Sequence, residues 1–136
     1  MTVEKIAECL KAHSIRPTQQ RIKVYEYLLE HLTHPSVDMI YTALSPEHPS
    51  FSKTTVYNTL DVLLKAELIR AIAMDGREVR YDGNPAEHGH FFCRSCDTIF
   101  DFFYTAEEIQ IQGLDGFLVE RRDLFQFGLC RKCAKL

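Results

Sequence analysis

Four of the five cysteines in this 136-residue chain stand in two C-x-x-C pairs. One pair is Cys93 and Cys96, and the other is Cys130 and Cys133. Two such pairs are typical of a closed tetrahedral zinc site, in which four thiolates leave no coordination position open. The alternative is a redox-active C-x-x-C, but that motif normally opens a helix in a thioredoxin-like βαβ unit, a pattern the sequence lacks. We therefore predict structural Zn²⁺ at these four cysteines.

A second set of candidate ligands combines imidazoles with carboxylates. His88 and His90 alternate with a glycine, so both rings point to one face if the segment is a strand. Asp101 lies on the next predicted strand, Asp82 precedes a turn-rich linker, and His34 lies at a break between two helices. A lone histidine before a proline, such as His34, is more often a helix-boundary residue than a ligand. Together, however, these five residues suit Fe(II), Mn(II) or Zn(II) and predict a second, regulatory metal site.

Composition limits the classes of protein to consider. A hydrophobic fraction of 46% supports a folded core, and no apolar run is long enough to span a bilayer. The first residues form a charged amphipathic stretch rather than a signal peptide, so we expect a cytoplasmic protein without a membrane partner. Thiols stay reduced there, which favours metal over disulfides at the paired cysteines. The net charge of −3 gives no general support for nucleic-acid binding.

The N-terminal half has the element order of a winged helix-turn-helix. Thr2, Thr18, Ser36 and Ser52 are each placed to cap a helix. Two strand-like segments, 68–74 and 77–82, follow the fourth helix and are joined by Asp75-Gly76, a strong signal for a two-residue hairpin turn. The fourth helix then takes the recognition position and the hairpin is the wing. A winged helix can also bind proteins, but the outward side chains favour DNA.

Those outward side chains occupy the early positions of the fourth helix, where a recognition helix contacts base edges and phosphates. They are Lys53, Thr54, Thr55, Tyr57, Asn58 and Thr59. Arg16 and Arg21 form a small basic cluster with Lys23. Such a cluster is usually only a solvated face, but here it can contact phosphate. The residues that we predict to contact DNA are Arg16, Arg21, Lys53, Thr54, Thr55, Tyr57 and Asn58.

The C-terminal half predicts a smaller α+β unit. The turn-rich segment 83–86 marks the boundary, so we expect a winged-helix DNA-binding domain over 1–83 and a metal-binding dimerisation domain over 84–136. A capping box at 105–108 opens a short helix. A unit of about fifty residues normally needs a metal or a partner subunit for stability. The predicted strands are 90–93, 98–103, 117–121 and 124–129.

The five candidate ligands of the regulatory site come from both halves of the chain. His34 and Asp82 belong to the first half, and the other three belong to the second. One ion bound by all five would fix the angle between the halves. In a dimer that angle sets the separation of the recognition helices, which must match successive major grooves. Metal binding would thus shift the population toward a DNA-competent shape.

With these motifs in order, the chain resembles the ferric uptake regulator superfamily over about residues 16–133. The resemblance implies a homodimeric, metal-dependent transcriptional repressor that binds A·T-rich palindromic operators through its winged helix. It also implies zinc at the four cysteines and the regulatory metal at the five imidazole and carboxylate residues. The motifs are R-P-T-Q-Q-R (16–21), H-P-S-V-D-M-I-Y (34–41), S-K-T-T-V-Y-N-T-L (52–60), H-G-H-F-F-C-R-S-C (88–96), I-F-D-F (99–102) and C-R-K-C (130–133).

Within that family the sequence is most similar to the peroxide-responsive branch. Asp82 and Asp101 stand where iron-responsive members tend to have glutamate, and Asn58 stands where they usually have arginine. The resemblance implies that Fe(II) reacts with hydrogen peroxide and that the product oxidises His34 or His88, so the metal leaves and repression ends. Mn(II) would support DNA binding without this reactivity. The alternative within the family is an iron- or zinc-responsive repressor without redox sensing.

Two functions outside the family are less consistent with the sequence. A metalloenzyme would need an open coordination position and a general base, and no further acid or nucleophile stands beside the H-x-H motif. A metalloenzyme would also leave the recognition-like helix unexplained. A metal store or chaperone is a third option, which predicts metal binding without specific DNA binding. We therefore expect no enzymatic activity.

Overall fold

The computed structural model describes residues 1–135, which separate into two compact units, 1–85 and 86–135. The division falls in the turn-rich segment where the sequence predicts a boundary after residue 83. Each unit has its own helices and strands. Within the described residues, no helix has the length and apolar character needed to cross a membrane.

Four helices build most of the N-terminal unit, and each begins at a predicted cap. They are α1 (Val3–Ala12), α2 (Gln19–Glu30), α3 (Val37–Leu44) and α4 (Lys53–Lys65). The hydroxyls of Thr2, Thr18, Ser36 and Ser52 accept hydrogen bonds from the backbone N–H groups three residues further along. These bonds satisfy donors that have no partner within a helix, so the caps fix where the helices start.

The core of this unit lies where the inner faces of the four helices meet. Each helix contributes apolar residues at helical spacing, and the side chains at the centre are fully buried. Tyr81 joins this cluster from the strand that follows. The recognition-position helix α4 is therefore held by its inner face, which leaves its outer face available. The central residues include Ile6, Leu10, Val24, Leu28, Ile40, Val56, Leu60 and Leu63.

The wing consists of β1 (Arg70–Ile72) and β2 (Arg80–Asp82), which pair antiparallel. The predicted two-residue hairpin is wrong, because pairing begins only at Ile72 and Arg80. A turn does form at Asp75-Gly76, where the N–H of Arg77 donates to the carbonyl of Met74 at 3.2 Å. Only Gly76 of the two central residues has a positive φ, of 73°. The tight hairpin turn that Asp-Gly favours requires positive φ at both, so the strands splay before they pair.

The C-terminal unit contains one three-stranded sheet in the order β4-β3-β5. The central strand β3 (Gly89–Cys93) runs antiparallel to β4 (Ile99–Phe102) and parallel to β5 (Leu124–Gly128). A one-turn helix, α5 (Arg131–Ala134), follows β5. This sheet positions members of both candidate ligand sets, because β3 carries His90 near its start and Cys93 at its end.

Two predicted elements of this unit are wrong. Residues 117–121 lie outside the strands described for residues 1–135, and Leu118 is 86% exposed. A run of apolar residues forms a strand only beside a partner strand, and these residues have none there. The helix predicted after Thr105 is a single 3₁₀ turn, Ala106–Glu108. The Thr105 side chain does not cap it, because its hydroxyl donates to the Glu108 carboxylate instead.

Candidate metal centres

The four paired cysteines meet at one end of the C-terminal sheet. Cys93 ends β3, Cys96 lies on the turn after it, and Cys130 and Cys133 flank the start of α5. Their sulfur atoms all lie within 4.8 Å of one another, and the Cys96 and Cys130 sulfurs are 3.9 Å apart. A tetrahedral site with Zn–S bonds of about 2.3 Å has sulfur–sulfur edges of about 3.8 Å. The donor set and its spacing therefore fit zinc.

Backbone N–H groups prepare one side of this cluster for thiolates. The Cys130 N–H donates to the Cys93 sulfur at 3.4 Å, and with the Cys96 N–H it lowers the pKa of Cys93 to about 6. The Thr98 hydroxyl, 3.3 Å from the Cys96 sulfur, lowers the pKa of Cys96. The neighbouring Cys130 sulfur raises the pKa of Cys133 to about 12. A bound divalent cation favours the thiolate form of every ligand, so it would lower the pKa of Cys133.

The two histidines of the H-x-H motif converge on one carboxylate of the same unit. The Nε2 atoms of His88 and His90 lie 3.3 and 3.5 Å from Asp101 Oδ1. Pairing of β3 with β4 sets His90 opposite Asp101, and the two imidazole centroids are 4.6 Å apart. Both histidines are buried, whereas the Asp101 side chain is 26% exposed. Two imidazoles and one carboxylate so arranged form a partial donor set for a first-row divalent ion.

A backbone carbonyl fixes the tautomer of His88. Its Nδ1 lies 2.7 Å from the carbonyl oxygen of Ala86. A carbonyl only accepts hydrogen bonds, so Nδ1 must be the protonated nitrogen. In the neutral imidazole the lone pair is then on Nε2, the atom that faces Asp101. Metal-binding histidines are commonly oriented by such a bond at the other ring nitrogen.

The other two predicted ligands come together in the N-terminal unit. His34 Nε2 lies 3.6 Å from Asp82 Oδ2, and each residue is only 3% exposed. The second carboxylate oxygen of Asp82 accepts the Asn84 N–H at 2.9 Å. A buried carboxylate beside a buried imidazole is costly without a partner charge, and a divalent cation can supply one. This pair therefore has the chemistry of a second partial donor set.

The sequence did not single out Arg80, which the structure places against this pair. Its guanidinium donates through Nε to the His34 carbonyl and through Nη2 to the Thr33 carbonyl, the latter at 3.3 Å. Side chains two positions apart on a strand share a face. The spacing of Arg80 from Asp82 therefore indicates which side of the strand it lies on, but not that it contacts the His34 backbone.

Most of the predicted DNA-contacting side chains lie on the outer face of α4. Lys53, Thr54, Tyr57 and Asn58 are exposed, and Thr55 is half-buried, with its hydroxyl 2.9 Å from that of Ser52. The interpretation of Thr59 as an outward residue is wrong, because it is 4% exposed. It stands three residues after the core residue Val56 and so shares its face.

The basic residues near the start of α2 are partly used within the unit. Arg16 is exposed, but Arg21 is half-buried and donates from its guanidinium to the Arg16 carbonyl at 3.2 Å. Lys23 pairs with Glu26 at 3.4 Å. Arg16 is thus the most accessible cation of this cluster.

Comparisons with known proteins indicate a single family. Residues 12–123 match the sequence model of the Ferric uptake regulator family. The Peroxide operon regulator of Bacillus subtilis (strain 168) is 33% identical over 136 residues, which cover 98% of this chain and 94% of that protein. Among solved structures, PerR from Streptococcus pyogenes is 30% identical, with a TM-score of 0.56 and coverage of 96% of this chain and 92% of that one.

The ferric uptake regulator Fur of Helicobacter pylori shares the fold, with a TM-score of 0.77, 23% identity and coverage of 98% of this chain and 95% of that one. The family match spans most of the chain and both units. This chain therefore belongs to the ferric uptake regulator family, whose members are metal-responsive transcriptional regulators and not enzymes.

Proposed function

We propose that the protein is a metal-dependent transcriptional repressor that senses hydrogen peroxide. One observation carries the proposal: the chain has two chemically different donor sets, one of four thiols and one of imidazoles and carboxylates. Four thiolates suit a permanent structural zinc, whereas the harder set suits a metal that exchanges and responds. With two such sets, one bound metal would stabilise the fold and the other would act in sensing.

The structural zinc would be held by Cys93, Cys96, Cys130 and Cys133. The ion would tie the end of β3 to α5, two segments far apart in the chain. A unit of this size buries little apolar surface, and several large apolar side chains of its second half are exposed. We therefore assign the zinc a folding role rather than a regulatory one.

The regulatory ion, Fe²⁺ or Mn²⁺, would be bound by His34, Asp82, His88, His90 and Asp101. The N-terminal pair offers two donors and the C-terminal group offers three, and together they would complete a five-coordinate site. An ion shared between the units fixes the angle between them, which in a dimer sets the spacing of the two α4 helices. Bound iron supplies reactivity toward hydrogen peroxide that bound manganese lacks.

Sensing would end in the oxidation of a ligand. In the overall step, hydrogen peroxide would transfer one oxygen atom to a ring carbon of His34 or His88 and would itself be reduced to water, so the imidazole is oxidised by two electrons. The oxidised ring is a weaker donor. The similarity to the peroxide operon regulator of Bacillus subtilis and to the peroxide-sensing PerR of Streptococcus pyogenes supports this branch over an iron or zinc sensor. The aspartates at positions 82 and 101 and the asparagine at position 58 support it as well.

We propose that the DNA target is an A·T-rich palindromic operator bound by a homodimer. Arg16, Arg21, Lys53, Thr54, Thr55, Tyr57 and Asn58 would make the contacts. The exposure of the outer α4 side chains supports this role. The C-terminal unit would form the dimer, and its exposed apolar side chains support that: Phe117 is 68% and Phe127 is 62% exposed.

The decisive experiment is peptide mass spectrometry after loading with Fe(II) and a small excess of hydrogen peroxide. We expect one added oxygen on the peptide of His34 or His88, together with loss of binding to an A·T-rich palindromic duplex. A sample loaded with Mn(II) should keep both its mass and its DNA binding. Unmodified histidines in an iron-loaded protein that binds the duplex would leave a metal sensor without redox chemistry.

A further inference from the structure

The backbone at His34 has an unfavourable conformation. Its φ is 57°, in the left-handed region that non-glycine residues rarely adopt, and the next residue is a proline. A residue before proline is normally held in extended conformations. Such a residue persists only where its surroundings fix it in place, and those positions are concentrated at functional sites. The contacts that hold His34 are therefore part of what sets its imidazole in position.

Strand β2 supplies those contacts through both its side chains and its backbone. The Arg80 guanidinium donates to the carbonyls of His34 and Thr33. The N–H of the next residue, Tyr81, donates to the Pro35 carbonyl at 2.9 Å, and an isolated antiparallel bridge joins Ser36 to Arg80. The turn that carries His34 is thus held at four consecutive residues, 33–36, by one short stretch of β2.

We infer that Arg80 is a positioning residue for the regulatory metal site, an inference that rests on the proposed function. Arg80 and Asp82 lie two apart on β2 and point to the same side, so one strand carries both a proposed ligand and the group that holds another ligand. The guanidinium acts through the backbone of His34 and not on the metal. Two donors in a rigid fork suit two adjacent carbonyls, which a lysine ammonium cannot reproduce.

The role has a second consequence, because β2 is the returning strand of the wing. The base of the wing is fastened to the turn before α3 by the same residue that orients His34. A metal bound by His34 and Asp82 would therefore strengthen a connection that the contacts of Arg80 and Tyr81 already make.

The test compares Arg80→Met and Arg80→Lys with Arg77→Met, in protein that keeps its zinc. Arg77 lies in the same wing and is exposed, so its replacement removes the same charge. Loss of an outer-sphere partner typically weakens metal binding about 10- to 100-fold. We expect a loss of that size in Mn(II) affinity for Arg80→Met, a smaller loss for Arg80→Lys, and a change within about twofold for Arg77→Met.

Hydrogen exchange in the metal-free protein gives a readout that is independent of metal. The amides of Thr33, His34 and Ser36 should exchange faster in both Arg80 variants and normally in Arg77→Met. Arg80→Lys keeps the positive charge. If Arg80→Met does not fold, the Mn(II) affinity and exchange rates of Arg80→Lys test the inference. Unchanged or tighter Mn(II) binding in a folded Arg80 variant would overturn the inference, whatever the exchange rates.

Asp82→Asn separates this inference from the proposed function. It removes a proposed ligand and leaves the Arg80 hydrogen bonds in place. If Asp82→Asn weakens Mn(II) binding and the Arg80 variants do not, the regulatory site stands and the inference fails. If Asp82→Asn has no effect on Mn(II) binding, the proposed site is wrong, and the positioning role falls with it even where the exchange rates respond to Arg80.

Discussion

At the scale of single residues, three candidate ligands are each held by a hydrogen bond to a backbone group. The Ala86 carbonyl accepts from His88 Nδ1, the Asn84 N–H donates to Asp82, and the Cys130 N–H donates to the Cys93 sulfur. Backbone groups make all three bonds. The orientation of these three side chains therefore depends on the path of the backbone, whereas His34 is held through the side chain of Arg80.

Gly89, between the two histidines, gives a prediction at this scale. A Cβ atom there would overlap the ring of Phe102, which covers Gly89 from the paired strand β4. We expect Gly89→Ala to force that ring or the strand to move and to destabilise the C-terminal unit by about 1–3 kcal/mol. Thermal unfolding of the zinc-loaded protein measures the change.

Gly128→Ala is the matched control for Gly89→Ala. A Cβ at Gly128 on β5 would meet the Phe91 ring at an ordinary contact distance of 3.5 Å. We expect its effect on the unfolding temperature to be much smaller. Equal effects of the two substitutions would mean that the fit of Phe102 over Gly89 has no special importance.

At the scale of elements, α4 has two exposed lysines in similar local settings at opposite ends. Lys53 pairs with Asp38 at 3.1 Å, and Lys65 pairs with Asp61 at 3.0 Å. Exposed pairs of this kind contribute little to stability. Only the first lysine lies at the end of the helix that would enter the major groove, so the two residues can separate DNA contact from general charge.

We expect Lys53→Gln to weaken operator binding and to reduce the slope of log affinity against log salt by about 2, because the dimer loses two phosphate contacts, one from each subunit. Lys65→Gln removes the same charge from the other end and should change neither quantity by a comparable amount. Titration of a labelled A·T-rich palindromic duplex at several salt concentrations, with Mn(II) present, gives both values. Identical slopes for the two variants would argue against α4 as the recognition helix.

Elements also differ in how far the sequence predicts them. The helices of the N-terminal unit begin at their predicted caps because a cap is a local interaction between residues three apart. The span 117–121 has the apolar content of a strand but lies outside the described ones. A buried strand and a surface covered by a partner subunit both need apolar side chains. Apolar content alone therefore does not distinguish the two.

At the scale of the whole molecule, the two donor sets predict two different mutant phenotypes. His90→Ala removes one donor of the proposed regulatory site, and we expect loss of Mn(II)-dependent DNA binding with zinc content and dimer intact. Cys96→Ser removes a zinc ligand, and we expect loss of zinc and unfolding of the C-terminal unit, because a structural zinc site contributes folding energy. Zinc analysis, sedimentation velocity and gel shifts distinguish the two outcomes.

His13→Ala serves as the control for a lost imidazole, since His13 is exposed at the end of α1 and belongs to neither donor set. It should bind zinc, Mn(II) and DNA normally. If His90→Ala and Cys96→Ser behave alike, the division of the ligands into a structural and a regulatory site is wrong.

The sequence by itself determined the types of candidate ligand, the family and the order of the four N-terminal helices. Two C-x-x-C pairs and an H-x-H motif restrict the chemistry because sulfur and imidazole have few other uses at such spacings. Helix periodicity and capping residues are likewise local features, so they can be recognised from the sequence alone.

Only the tertiary structure decided which atoms meet. That His88 and His90 share one oxygen of Asp101 depends on the register of β3 with β4, and the inward position of Thr59 depends on which face of α4 packs on the core. The contacts of Arg80 with the His34 turn span 46 residues of chain. Long-range pairings of this kind arise from the packing of the whole unit, so no local pattern in the sequence specifies them.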